Sequence, residues 1–339
     1  MKEYHFSQSP FRVFGAPLFE KTGKLWRLPD DLTAQLPKFF VEWQLAHRCP
    51  GARLCFRTDS QTLSFRICFK SISVDIGMSL YAAQSGNVFV GDRPSSVYKG
   101  LIMSREGYGK PEATGTFHKE KKMEDVTVFL PRNEEITDVF IQLDDDAQVE
   151  APTPYRYAKP ILYYGSSITE CGCCSMPCTA YNALLSRWLD ADYYNFGFSG
   201  CARGERIMAD YINSIEKSVL VMDYDHNAPD AMHLEATHEP FYKIIRAARP
   251  ELPVIMMSKP DFDADPAGNA RRRDVICRTY TNARMAGDEN VYFLNGETFF
   301  GTMGRDSCTI DNCHPTDLGF YRMAEQVYQV IQSILRKKN

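Results

Sequence analysis

The sequence predicts an α/β protein in two regions. An antiparallel β-sandwich of jelly-roll type comes first, and a three-layer α/β/α unit on a parallel sheet follows. Three observations carry this. Residues 11–143 hold short apolar runs that alternate with polar residues, without a long helical period. Residues 144–160, DDDAQVEAPTPYRYAKP, bring together consecutive acids and Pro152, Pro154 and Pro160. That is the composition of a linker, because proline cannot donate to a central sheet ladder. Beyond Pro160, apolar runs of strand length alternate with helical patterns, as in sheets whose crossovers are helices. The chain has 339 residues, room for about two domains, and the expected division is 1–150 and 151–339.

In the N-terminal region, strands are expected at 54–56, 62–69, 72–76, 87–90, 126–130 and 138–143. Their alternation, rich in β-branched and aromatic residues, puts one face of each in a core and the other in water. In the C-terminal region, strands are expected at 161–164, 218–222, 253–257 and 290–294, and helices at about 179–189, 239–248, 274–286 and 317–336. In the last helix, Phe320, Ala324, Val327, Ile331 and Ile334 recur at the helical period. Sheets of this kind bind ligands beyond the carboxyl ends of their strands, so chemistry is sought there.

Composition narrows the function. Lys plus Arg total 39 against 43 Asp plus Glu, a net charge of -4. That argues against a nucleic-acid partner, which needs clustered positive charge. No apolar run approaches the roughly 18 residues of a membrane span. The N-terminus lacks the apolar core of a secretory signal, so a cytoplasmic protein is expected. The 11 cysteines are odd in number and cannot all pair within one chain. Cys171, Cys173, Cys174 and Cys178 form CGCCSMPC. This lacks the paired knuckles of structural zinc, and no His stands near it. Small thiols packed where a loop enters a helix are the preferred reading, over a metal site or redox switch. The basic runs at 119–122 and 271–273 read as solvated faces.

Catalytic candidates lie at strand ends. Gly165-Ser166-Ser167-Ile168-Thr169 follows the first strand of the C-terminal region. A serine there sits at the sheet edge, where a starting helix offers unbonded N–H groups. It is not the G-x-S-x-G elbow, since Thr169 stands in place of the second glycine. Ser199, in Gly197-Phe198-Ser199-Gly200-Cys201, is a rival that misses the same elbow by one position. A serine hydroxyl needs a base to take its proton. Asp311-Asn312-Cys313-His314 places a carboxylate three residues before an imidazole, where it can fix the tautomer of His314. The segment 195–200, ending at Gly200, can offer a backbone N–H to an oxyanion, and the amide of Asn227 can be a second donor. Taken singly, each block also reads as an ordinary turn. Arg203, Glu205 and Asp225 lie near these blocks and are candidates for shaping the substrate site.

The order of the blocks is more specific than any one of them. Ser167 in its block, then Gly200, then Asn227, then Asp311 with His314 resembles the SGNH (GDSL-type) hydrolase superfamily over about 160–335. In the N-terminal region, Gly77-Met78-Ser79-Leu80-Tyr81 is similar to the G-x-D-L-Y signature of a β-sandwich that precedes the hydrolase domain in one bacterial subgroup. Ser79 replaces the acid there. Ser166 stands where many members carry Asp, and Ala228 where many carry another Asp.

The resemblance implies a flavodoxin-like sheet and a serine esterase. Ser167 would attack an ester carbonyl, His314 would act as base and then acid, and Asp311 would orient His314. The N–H groups of Ser167 and Gly200 and the side chain of Asn227 would hold the oxyanion. No metal or organic cofactor is implied. The expected partner is a small-molecule or oligosaccharide ester carrying a short acyl group, often acetyl. Neither nucleic acid nor membrane is expected as a partner, and the oligomeric state is left open. An acyltransferase using the same groups, or a non-catalytic glycan-binding protein, remain as alternatives. Retention of Ser167, Asn227 and His314 speaks against the second.

Overall fold

A computed structural model describes residues 1–42, 44–73, 77–104 and 110–337. In the N-terminal region a pair of antiparallel sheets encloses one core. The first sheet has the strand order Lys2–His5, Ile136–Leu143, Thr62–Phe69, Glu112–His118. The second runs Val149–Glu150, Arg53–Thr58, Glu124–Phe129, Gly86–Val90, Val97–Ile102, with Arg12–Phe14 also paired to Arg53–Thr58. Thr62–Phe69 shows why they pack. Leu63, Phe65, Ile67 and Phe69 are buried while the residues between them are half-buried. Those side chains meet Phe56, Val126, Val128 and Ile141 in a single cluster.

Strands therefore form where the alternation places them, with one exception. Residues 74–76 of the expected strand 72–76 lie outside the described residues, and Ile72 and Ser73 are not in a strand. Lys2–His5, Arg12–Phe14, Val97–Ile102, Glu112–His118 and the two-residue Val149–Glu150 escape the sequence reading. Each is at a sheet edge, where fewer neighbours must be covered and polar residues are favoured.

The C-terminal region is built on five parallel strands: β1 (Tyr157–Gly165), β2 (Ala191–Gly197), β3 (Val219–Asp223), β4 (Val254–Met257) and β5 (Val291–Leu294). Their order is β2-β1-β3-β4-β5, the flavodoxin-like arrangement. The helices are α1 (Ser167–Glu170), α2 (Tyr181–Leu189), α3 (Arg206–Ser214), α4 (Ala231–Ala248), α5 (Pro266–Met285) and α6 (Asp317–Lys337). Successive β1 residues point to opposite faces. Ile161 and Tyr163 join a core with α2 and α6. Leu162 and Tyr164 join the other with α3, α4 and α5. Burial on both faces explains why β3 and β4 read as continuous apolar runs.

The second of these cores also takes in Leu28, Leu32, Leu36, Phe40, Leu45 and Ala46 from the N-terminal region. The two regions thus share apolar packing rather than meeting only at a linker.

Two helices begin earlier than the apolar period shows. α4 starts at Ala231, capped by the Asp230 carboxylate on the N–H of His233, and Pro240 lies inside it. α5 starts with Pro266 in its first turn and Asp265 capping the N–H of Gly268. Among the described residues no helix is long and apolar enough to cross a membrane.

Candidate active site

β1 delivers Ser167 to the carboxyl end of the sheet. Its last residue, Gly165, pairs with Gly197 on one side and Asp223 on the other. A Cβ on Gly165 would lie 2.7 Å from the Asp223 carbonyl oxygen, so glycine lets α1 start against β3. The Ser166 side chain accepts from the N–H of Ile168 at 3.2 Å and caps α1. That is what this serine does where other sequences carry an acid. Thr169, in place of the elbow's second glycine, donates to the Asp223 carboxylate at 2.7 Å, and Tyr181 donates to it at 2.8 Å.

The residues singled out from the sequence converge. Ser167 Oγ lies 2.8 Å from His314 Nε2. His314 Nδ1 lies 2.8 Å from Asp311 Oδ2. Asp311 Oδ1 accepts from the backbone N–H groups of His314, at 2.7 Å, and Cys313, at 3.1 Å. Burial pushes the Asp311 carboxyl up, but the bonds from His314 and Cys313 outweigh it and hold it below the ordinary carboxylate value. Asn312 between them takes a positive φ of 61°, a left-handed residue that closes the turn.

Asn227 and Gly200 meet beside this line. The Gly200 N–H donates to Asn227 Oδ1 at 3.1 Å, and Asn227 Nδ2 donates to the Phe198 carbonyl at 2.9 Å. One Asn227 amide hydrogen is left for another acceptor. Gly200 has φ 66°, which favours glycine. Ser199 is held elsewhere, its N–H and hydroxyl both donating to Glu170. Of the three neighbouring candidates, two are committed to the scaffold. Asp225 pairs with Arg272 at 2.9 Å and accepts from the N–H of Lys259. Glu205 accepts from the Tyr164 hydroxyl at 2.6 Å and from the N–H of Arg203. Arg203 lines the site.

The sequence reading missed Glu170. Its carboxylate is fully buried at the end of α1. It accepts from Arg27 at 3.0 Å and faces Arg132 at 3.4 Å. Burial raises its pKa, and Arg132 and Arg27 lower it by more. Its partners stand 143 and 38 residues earlier in the chain, a separation with no local signal. His226 also turns inward. Its Nε2 lies 2.8 Å from the Cys313 thiol, and its ring centre is 6.2 Å from that of His314.

Ser167, Gly200, Arg203, His226, Asn227, Asp311 and His314 line a cavity of about 590 Å³. The N-terminal region supplies Gly77, Met78 and Arg132 to its wall, so the segment similar to G-x-D-L-Y reaches the site. Ser79, in place of the acid, accepts from the N–H of Tyr81 at 3.2 Å and caps a short helix.

The cysteine cluster departs from the packing expectation. Cys171 and Cys174 form a disulfide with Cα atoms 5.4 Å apart. The chain bends through positive φ at Cys171 (86°) and Cys173 (65°), which brings the two thiols together. The Cys173 thiol donates to the Gly77 carbonyl at 2.9 Å, and Cys178 is buried.

Residues 158–332 match the GDSL-like lipase/acylhydrolase family, and residues 2–149 match the family described as the N-terminus of Esterase_SGNH_hydro-type. No protein of curated function matches the chain. Among solved structures, the chain is similar to a putative GDSL-like lipase from Bacteroides ovatus ATCC 8483, with a TM-score of 0.86, 20% identity, and 99% of this chain and 98% of that one covered. It is similar to the salicylyl-acyltransferase SsfX3 of a tetracycline biosynthetic pathway, with a TM-score of 0.77, 20% identity, and 98% and 97% covered. It is also similar to a family two carbohydrate esterase from Clostridium thermocellum in complex with cellohexaose, with a TM-score of 0.61, 17% identity, and 84% and 93% covered.

Proposed function

The chain belongs to the GDSL-like lipase/acylhydrolase family, and on that premise we propose that it is a serine esterase removing short acyl groups, acetyl foremost, from carbohydrates or other small alcohols. The observation that carries this is the unbroken line Asp311–His314–Ser167, with both contacts at 2.8 Å. His314 Nε2 accepts the Ser167 proton as Oγ attacks the ester carbon, and the cation that forms on the imidazole is balanced by Asp311. The carbonyl oxygen, now negative, draws on the Ser167 N–H, the second amide hydrogen of Asn227 and a share of the Gly200 N–H. His314 returns the proton to the departing alcohol. Water then enters by the same base and frees the acid. No step needs a metal or an organic cofactor.

We take residues 1–150 as the accessory sandwich and 151–339 as the hydrolase domain, with the sandwich walling the pocket. The carbohydrate aspect of the proposal draws on the carbohydrate esterase among the similar structures. The second reading is acyl transfer to an alcohol, because another of those structures is a salicylyl-acyltransferase. A panel of p-nitrophenyl esters and acetylated sugars tests both, run with the parent protein and Ser167→Ala, with and without an added alcohol. Free acid as the product, lost in Ser167→Ala, is the expected result. Acyl-alcohol as the main product favours transfer, and ester cleavage at the parent rate by Ser167→Ala refutes both.

A further inference from the structure

Among the described residues two arginines line the cavity around Ser167, and they differ in what they are bonded to. Arg132 is fully engaged. Its Nε donates to the Glu170 carbonyl at 3.0 Å and one terminal nitrogen donates to Asn133 at 2.8 Å. The other reaches the Ser199 hydroxyl at 3.3 Å and the Glu170 carboxylate at 3.4 Å. Arg203 is not. Its guanidinium makes one bond, from a terminal nitrogen to the Gly200 carbonyl at 3.0 Å. Its Nε is buried and has no acceptor. Among the described residues no carboxylate lies within 4.0 Å of it.

The position is fixed even though no carboxylate among the described residues pairs with the charge. The Arg203 N–H donates to the Glu205 carboxylate at 3.1 Å, and the Arg203 carbonyl accepts from His233 Nε2 at 2.8 Å. The loop carrying Arg203 is the one carrying Gly200, so the guanidinium stands beside the oxyanion donors. Among the described residues the cavity offers Arg203 no free counter-charge. Among the described residues, the only carboxylate in its lining is Asp311, which is bonded to His314. A guanidinium carries five donors and stays charged, and donors left unmet in a partly desolvated pocket cost stability unless a ligand meets them. Carboxylates, like phosphates, match that fork with two parallel hydrogen bonds.

We propose that Arg203 forms an anion subsite and that the substrate is an ester bearing a carboxylate within reach of the scissile bond, on either its acyl or its alcohol side. This rests on the esterase reading above and narrows its substrate class.

Two matched pairs of esters test it and separate the two sides. p-Nitrophenyl hemisuccinate against p-nitrophenyl butyrate places the charge on the acyl side. 4-Acetoxybenzoate against its methyl ester places it on the alcohol side. For one pair, kcat/KM is expected to favour the charged member. In Arg203→Gln that preference falls about 10- to 100-fold, the range for loss of a charge-assisted hydrogen bond. The loss is in KM, and Arg203→Lys restores some of it. Added salt weakens the preference in the parent.

No preference for either charged member overturns the proposal. So does a preference that survives Arg203→Gln, which would leave Arg203 only bracing the Gly200 loop. Should the parent cleave none of the four esters, the esterase reading fails. The subsite is then judged by calorimetric titration of 4-acetoxybenzoate into the parent and Arg203→Gln. Binding lost with the arginine supports it, and equal binding or none overturns it.

Discussion

Replacing Glu170 with Gln should destabilise the protein more than any exposed charge change, because of what the carboxylate holds. It is fully buried, as is Arg27, and Arg132 is nearly so. Glu170 joins two segments of the N-terminal region to the helix that begins with Ser167. Arg27 itself spans the regions, bonding the carbonyls of Arg48, Leu45, Asn195 and Gly197. Gln keeps the shape but removes the charge, and its amide group must face a guanidinium or the Ser199 donors. Breaking a buried pair by removing one partner typically costs about 3–5 kcal/mol, since the remaining charge stays desolvated. For a chain of 339 residues that corresponds to a fall in Tm of roughly 4–7 °C.

An exposed pair is the control. Lys159 and Glu216 are 2.9 Å apart but more than half exposed, and solvent screening leaves such pairs contributing little. Calorimetry of parent, Glu170→Gln and Glu216→Gln at neutral pH is the assay. Equal small shifts in the two variants would refute the reasoning that burial, rather than distance, sets the cost. Turnover should fall in Glu170→Gln as well, because the carboxylate fixes Ser199 one residue before Gly200.

Other outcomes follow from the same contacts. Asn227→Ala should lower kcat by about 10²–10³ with a smaller change in KM, as for other lost oxyanion donors, and steady-state kinetics on an acetyl ester checks it. Asp311→Asn should cost less than His314→Ala, since the base survives the first change and not the second. Asp223 is buried, and burial pushes its pKa up to about 6 despite bonds from Thr169 and Tyr181. The native state therefore holds this proton after the unfolded chain has released it, so the carboxyl costs nothing below about pH 4 and its cost grows up to about pH 6. A shift of roughly two units is about 3 kcal/mol. Asp223→Asn should therefore raise Tm above pH 6, with the gain vanishing near pH 4. A gain independent of pH would contradict the assignment.

How much of this could be read in the sequence depended on locality. Four of the five parallel strands were legible because burial on both faces leaves continuous apolar runs. β2 and α3 were not assigned as elements, and the edge strands of the sandwich were hidden by their polar residues. The D-x-x-H turn was legible because carboxylate and imidazole lie within one bend. Glu170 with Arg27 and Arg132 was not, because nothing in a local window joins an acid to bases so far away. The Cys171–Cys174 bond was hidden for a different reason. An odd cysteine count says that some are unpaired but not which ones, and the turn that closes this pair depends on positive φ at non-glycine residues.

The central claim is that Ser167 is the nucleophile made reactive by His314. A fluorophosphonate probe with peptide mass spectrometry tests it most directly. One adduct per chain on the peptide containing Ser167, absent from Ser167→Ala and strongly slowed in His314→Ala, is the predicted result. Labelling on Ser199 or elsewhere at the same rate, or no labelling of folded protein, would contradict it.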